Sequence, residues 1–91
     1  MTFEDTSVGD LVKITIHNDN KKLGLESKII HIVDNCLVVE PFVVNNTMLS
    51  FPKNMEIELI VVHNEQTPYY WQRVQVLNKI YHEQNCHVIT S

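Results

Sequence analysis

Hydrophobic residues in this chain recur at every second position in short runs, and clusters of Asn, Asp, Gly and Pro separate the runs. That spacing predicts strands with one buried face, because side chains alternate across a pleated backbone. Val12, Ile14 and Ile16 alternate with Lys13, Thr15 and His17. They predict a first strand, entered through Val8-Gly9-Asp10 and ended by Asn18-Asp19-Asn20, whose short polar side chains favour turns. Leu25 to Val33, carrying Ile30 and Ile32, predicts a second strand that turns at Asp34-Asn35 into the run Cys36 to Val44. Two residues between β-branched runs read as a hairpin. Asn45-Asn46-Thr47 predicts the next turn, Met48 to Phe51 a short strand, and Phe51-Pro52-Lys53-Asn54 another turn. Met55, Ile57, Leu59 and Val61 then alternate with Glu56, Glu58 and Ile60 in the clearest half-buried strand of the sequence.

Beyond a polar stretch from His63 to Pro68, the run Tyr69 to Leu77 changes parity: Tyr69 and Trp71 are odd, Val74 and Val76 even. A β-bulge near Gln72-Arg73 would restore a single inward face. A polar turn at His82 to Asn85 leads into a last short strand, Cys86 to Thr90. Six or so short strands without a helical segment predict an all-β domain. A small antiparallel barrel suits them, since closure removes edges that so small a domain cannot otherwise cover. No repeat, linker or second domain interrupts residues 1–91.

A chain of 91 residues fits one domain with a thin core, burying about 60 to 65% of its unfolded surface. Seven basic against eleven acidic residues leave a net charge of -4, the wrong sign for the counterion release that dominates nucleic-acid affinity. Acidic side chains are scattered (Glu26, Asp34, Glu40, Glu56, Glu58), so the charge reads as solubility. The start, Met-Thr-Phe-Glu-Asp, has no basic opening or apolar core, and the longest apolar runs are Cys36 to Val39 and Leu59 to Val62. No signal peptide or membrane insertion is expected, and a cytoplasmic location follows, with Cys36 and Cys86 as free thiols.

Candidate chemistry is sparse. Gly9 and Gly24 cannot build a dinucleotide fingerprint or a phosphate loop, which need several glycines at fixed spacing. Ser7, Ser27, Ser50 and Ser91 lack a nucleophile-elbow context. His82, Cys86 and His87 form the best local metal cluster, but a second ligand pair is missing, because His17, His31, Cys36 and His63 are isolated in sequence. The histidines are therefore expected on solvent-facing strands and turns. No catalytic residue, metal or cofactor is assigned. In Tyr69-Tyr70-Trp71, alternation sends Tyr69 and Trp71 inward and leaves Tyr70 outside. Tyr70, with the only arginine, Arg73, is the candidate protein-contact pair.

The order of Val8-Gly9-Asp10, Ser27-Lys28-Ile29-Ile30 with Ile32 and Asp34-Asn35, Leu37-Val38-Val39-Glu40-Pro41, and Pro68-Tyr69-Tyr70-Trp71 resembles the PilZ-associated N-terminal domain of YcgR-type flagellar brake proteins. The likeness runs from about Ser7 to Ile89. It implies a small six-stranded antiparallel split β-barrel that precedes a PilZ domain in bacterial proteins that slow flagellar rotation as cyclic di-GMP rises. In that family an Arg-x-x-x-Arg element and an Asp/Asn-x-Ser-x-x-Gly motif hold the nucleotide. Neither occurs here. The resemblance therefore implies a single domain, residues 1–91, without its C-terminal PilZ domain. Such a module is non-enzymatic, and its partners are a PilZ domain, in cis or in trans, or flagellar motor proteins. Cyclic di-GMP would be reached only through the missing part. The chain is either a piece of a longer protein or a natural single-domain relative, and its end at Ser91, just past the last strand, favours the first.

Two other classes compete. A flavin-binding split barrel with oxidoreductase activity would need converging phosphate donors, whereas Lys13, Lys28, Arg73 and Lys79 are scattered along the chain; a yellow protein on purification would favour it. An oligonucleotide-binding barrel matches the size and the aromatic cluster but not the charge.

Overall fold

A computed structural model describes residues 3, 5–18, 20–52, 55–64 and 67–91. Among them it shows nine strands and no helix: β1 (Leu11–Asn18), β2 (Lys21–Val33), β3 (Cys36–Val39), β4 (Val43–Val44), β5 (Thr47–Met48), β6 (Ile57–Val62), β7 (Tyr69–Trp71), β8 (Gln75–Tyr81) and β9 (Gln84–Thr90). The all-β antiparallel class is as expected. The strand count is not: seven strands form one sheet in the order β7-β6-β1-β2-β3-β9-β8, and β4 and β5 form a separate hairpin.

β2 explains how one sheet makes two curved halves. Its first part, Lys21 to Lys28, pairs with β1, and its last part, from Ile29 to Val33, pairs with β3. The register slips between Ile29 and His31, and such an extra residue bends a strand and increases its twist. Ile29 stays buried while Ile30 is turned outward.

The ends of the sheet show how far it curls. β7 and β8 lie at opposite edges, yet only residues 72–74 join them. Six strand spacings of about 4.8 Å would put the edges of a flat sheet roughly 29 Å apart, while four chain steps span at most about 15 Å. The sheet therefore curls round until its edges approach, and the Val74 N–H bonds the Ile57 carbonyl at 3.1 Å across the gap. No β7–β8 ladder forms among the described residues, so the barrel is split and not closed. This replaces the expected bulge at Gln72-Arg73. The parity change between Trp71 and Val74 marks the chain's passage from one edge to the other, and both residues are buried.

The core follows the alternation. Val12, Ile14 and Ile16 of β1 face Val61, Leu59 and Ile57 of β6, and Leu59 faces Trp71. All are buried, together with Phe3, Ile29, Leu37, Val39, Phe42, Val74, Val76 and Ile89. Phe3 stacks at a tilt on Trp71, with ring centroids 4.9 Å apart.

Three two-residue turns join hairpins with positive φ at both central residues: Asp34-Asn35, Asn45-Asn46 and His82-Glu83. That backbone twist matches the flanking strands, and Asn and Asp tolerate it best. The third turn is shorter than the expected His82 to Asn85, because β9 already starts at Gln84. The run Cys36 to Val44 is likewise broken after Val39, where residues 40–42 lead into the separate hairpin, and Met48 pairs within that hairpin. Of the other expected turns, Asp19, Lys53, Asn54, Glu65 and Gln66 lie outside the described residues.

Candidate functional site

Even positions of β6 and β7 and odd positions of β1 point away from the core, and this outer face gathers the polar chemistry. Thr15 is opposite Glu58, and Ile60 is opposite Tyr70. Glu58 is thus diagonal to both His17 and Tyr70, a separation that long side chains bridge. His17 Nε2 lies 2.5 Å from Glu58 Oε1, and the Tyr70 hydroxyl donates to Glu58 Oε2 at 2.8 Å. The Tyr70 bond, followed by the His17 bond, holds the Glu58 carboxyl below its ordinary range. The same bond raises the Tyr70 phenol, since ionising it would lose the donor and face a carboxylate.

Tyr70 is half in solvent, at 52% exposure. Arg73 is also exposed, in the link between β7 and β8 and not within a strand as the sequence suggests. It lines a hollow of about 200 Å³ with His17, Glu56, Glu58 and Gln72. The structure thus places both residues singled out from the sequence, Tyr70 and Arg73, next to the Glu58 network. Two carboxylates beside one guanidinium favour a cationic or neutral polar contact over a phosphate. Both Glu58 oxygens are already engaged, which leaves the group little capacity to act as a base.

A second polar pair is structural. Asp10 is buried at the entry to β1; its Oδ2 accepts the Ser7 N–H at 2.8 Å, and its Oδ1 lies 2.5 Å from His63 Nδ1. Gly9, at φ 95°, occupies the left-handed backbone that this turn needs.

His87 corrects the expectation of solvent-facing histidines. It has no solvent exposure. Its Nδ1 accepts the Phe42 N–H at 2.9 Å, which leaves Nε2 to donate to the Leu49 carbonyl at 2.8 Å. Only the neutral ring protonated at Nε2 satisfies both bonds, and burial accordingly lowers its basicity. The Asn78 side-chain amide donates to the same carbonyl at 3.0 Å. The ring also sits against Phe42 and Phe51, at centroid distances of 5.3 and 5.1 Å. His87 is a pin that fastens the segment carrying β4 and β5 to β9. The signal was present in the sequence, since His87 shares parity with the core residue Ile89.

The three-residue metal cluster suggested by spacing is not assembled: His82 is in the turn, and Cys86 and His87 point to opposite faces of β9. Among the described residues no group of three His, Cys, Asp or Glu is placed to hold an ion. Cys36 lies just before Leu37, which pairs with Ile89, and Cys86 lies just before His87, which pairs with Val39. The two thiols are about four residues apart along that ladder, roughly 13 Å, too far for a disulfide. No helix among the described residues is long and apolar enough to cross a membrane.

No protein-family model matches the chain, and no curated protein is similar to it in sequence. A solved structure is similar. The fold is shared with part of the Bacillus subtilis inhibitor of motility, MotI/DgrA. The TM-score is 0.71 at 18% sequence identity, over 93% of this chain and 41% of that one. The chain thus spans less than half the length of that neighbour, and the likeness is one of fold.

Proposed function

We propose that this chain is a non-catalytic regulatory module of a bacterial, cytoplasmic, cyclic di-GMP-responsive motility protein. It acts by contact with a PilZ domain, in cis or in trans, or with flagellar motor proteins. The observation that carries this reading is the fold shared with a motility inhibitor over 93% of the chain. The order of motifs resembling the PilZ-associated N-terminal domain agrees with it. A contact role also suits the outer face, where Tyr70 is exposed but held in place by Glu58, so little side-chain freedom is lost on binding. Arg73, which lines the hollow beside Glu58, is a second anchor, and Tyr and Arg are the residue types enriched where interfaces are strongest.

Nucleotide binding is assigned to protein outside these residues. The one arginine is flanked by Glu56 and Glu58 in the same hollow, an environment that disfavours a diphosphate ligand. Calorimetry of the 91-residue chain with cyclic di-GMP should give no binding heat, and micromolar binding would overturn this part. Expression in a motile flagellated host should shrink swimming zones in soft agar, and Tyr70→Ala with Arg73→Glu should relieve the effect at equal protein level. Unchanged swimming with the folded wild-type chain present would count against the contact role.

A further inference from the structure

At the tip of the β1–β2 hairpin the inner face runs out of cover. Ile16 is buried, but Leu23, its cross-strand partner on the same face, leaves 48% of its surface in solvent. Leu49, Phe51 and Met55 form the facing wall, each partly buried. Between the walls lies a groove of about 410 Å³, lined otherwise by Ser50, Lys21 and Lys22. Alternation puts Lys21 on the face of Leu23, at the end of the groove, and Lys22 follows along the rim. These two lysines are the chain's only adjacent basic residues, in a protein of net charge -4.

We propose that this groove docks an amphipathic, acidic segment of a partner protein. Apolar side chains of that segment enter between Leu23 and Phe51, and a carboxylate next to them meets Lys21. The apolar lining supplies the burial that drives association, and the lysines supply the register. An acidic segment is repelled by most of this acidic surface and attracted at the Lys21-Lys22 rim, so orientation follows from charge. An anionic bilayer is the weaker fit, because surface recruitment of that kind uses clusters of about four to eight basic residues. The inference stands apart from the motility reading, since the groove holds neither Tyr70 nor Arg73; Lys22, opposite His17 and acting on Glu58, borders both faces, while Leu23, Leu49 and Phe51 line the groove and not the Glu58 hollow.

The test is a titration of the ¹⁵N-labelled chain with two designed amphipathic peptides that share their Leu and Phe positions and differ only in Glu or Lys flanks. The Glu peptide should shift the amides of Ile16, Leu23, Leu49 and Phe51 and bind about tenfold more tightly than the Lys peptide at low salt. Lys21→Glu with Lys22→Glu should reverse that preference. Leu23→Asp should abolish binding of both peptides while the dispersed spectrum of a folded chain remains, since Leu23 is half exposed. Equal affinity for the two peptides, no binding of either, shifts confined to the Tyr70 face, or binding of phosphatidylglycerol vesicles in place of the peptides would each overturn the proposal.

Discussion

Aliphatic packing runs through both halves of the curled sheet, with Leu37, Val76 and Ile89 filling the β3–β9–β8 side, but two of its attachments are held by different physics. Where β1 meets β6, every inward contact is aliphatic: Val12 against Val61, Ile14 against Leu59, Ile16 against Ile57. Where β9 meets the segment of residues 40–51, a fully buried imidazole does the fastening, with one nitrogen accepting from Phe42 and the other donating to Leu49. Burial of apolar area is non-directional and survives small shifts. A buried hydrogen-bonding ring works in one tautomer and one geometry, and its failure leaves unsatisfied groups behind. The aliphatic attachment therefore should set global stability, and the imidazole attachment should set local order.

The largest expected effect comes from breaking the aliphatic attachment. Leu59→Ala should lower unfolding stability by about 2 to 5 kcal/mol, because Leu59 is fully buried between Ile14 and Trp71 and the cavity cannot collapse easily. Ile57→Ala and Trp71→Ala should be strongly destabilising for the same reason. Glu58→Ala, one position away and outward, should leave the denaturation midpoint nearly unchanged. Similar midpoints for Leu59→Ala and Glu58→Ala would show that the register of β6 is wrong.

A smaller but more local effect should follow from removing the pin. His87→Ala leaves the Phe42 N–H without its acceptor, a loss of about 1 to 3 kcal/mol. Amide exchange should show where that loss falls. Protection at Phe42 and Leu49 should drop while the β1–β6 amides keep theirs, whereas in Leu59→Ala protection should fall throughout. Uniform loss in both variants would erase the contrast between the two attachments.

Acid should act on the same pin before it acts elsewhere. Burial lowers the basicity of His87 from its ordinary value near 6.5, so the folded state favours the neutral ring. Its contribution is fully present above about 6.5 and is lost as pH falls through the lower folded value. A protonated ring would present an N–H to the Phe42 N–H. Glu58 is an exposed carboxyl held below its ordinary range by Tyr70 and then His17, so its protonation at lower pH should change stability little. Stability should thus decline as the His87 ring takes up its proton, and His87→Ala should remove that step. A pH profile of the variant that superimposes on the wild type would rule the pin out as the source.

How much of this was legible in sequence tracks the same division. Period-two alternation located β1, β6 and the Asp34-Asn35 hairpin because each depends on local pattern and on turn chemistry two residues long. It put Tyr70 outside for the same reason. The split escaped it, because the parity change at residues 72–74 fits both a bulge within one strand and a passage between two edges, and only the closure distance tells them apart. His87 was misplaced by its residue type: imidazoles are usually wet, and the acceptor and donor that justify its burial come from Phe42 and Leu49, more than thirty residues away. The Glu58 network with Tyr70 and Arg73 escaped notice likewise, because its members come from three strands and a link.

The smallest expected effect concerns the turn that closes β8 on β9, at the imidazole-held end of the sheet. His82 and Glu83 sit at φ 49° and 63°, left-handed backbone that costs an ordinary L-residue about 1 to 2 kcal/mol and costs Asn and Gly less. The Asp34-Asn35 and Asn45-Asn46 turns have similar φ values with better-suited residues. His82→Asn together with Glu83→Gly should therefore stabilise the chain by about 0.5 to 1 kcal/mol, less than the strain relieved because glycine also loosens the unfolded chain. The gain should appear as slower amide exchange in β8 and β9, including the strand that carries His87, and should add to the effect of Leu59→Ala, since Leu59 pairs with Ile14 and Trp71 on other strands. A loss of stability would mean that His82 or Glu83 makes contacts worth more than the backbone strain. A gain that disappears in His87→Ala would mean that the turn and the pin form one cooperative unit.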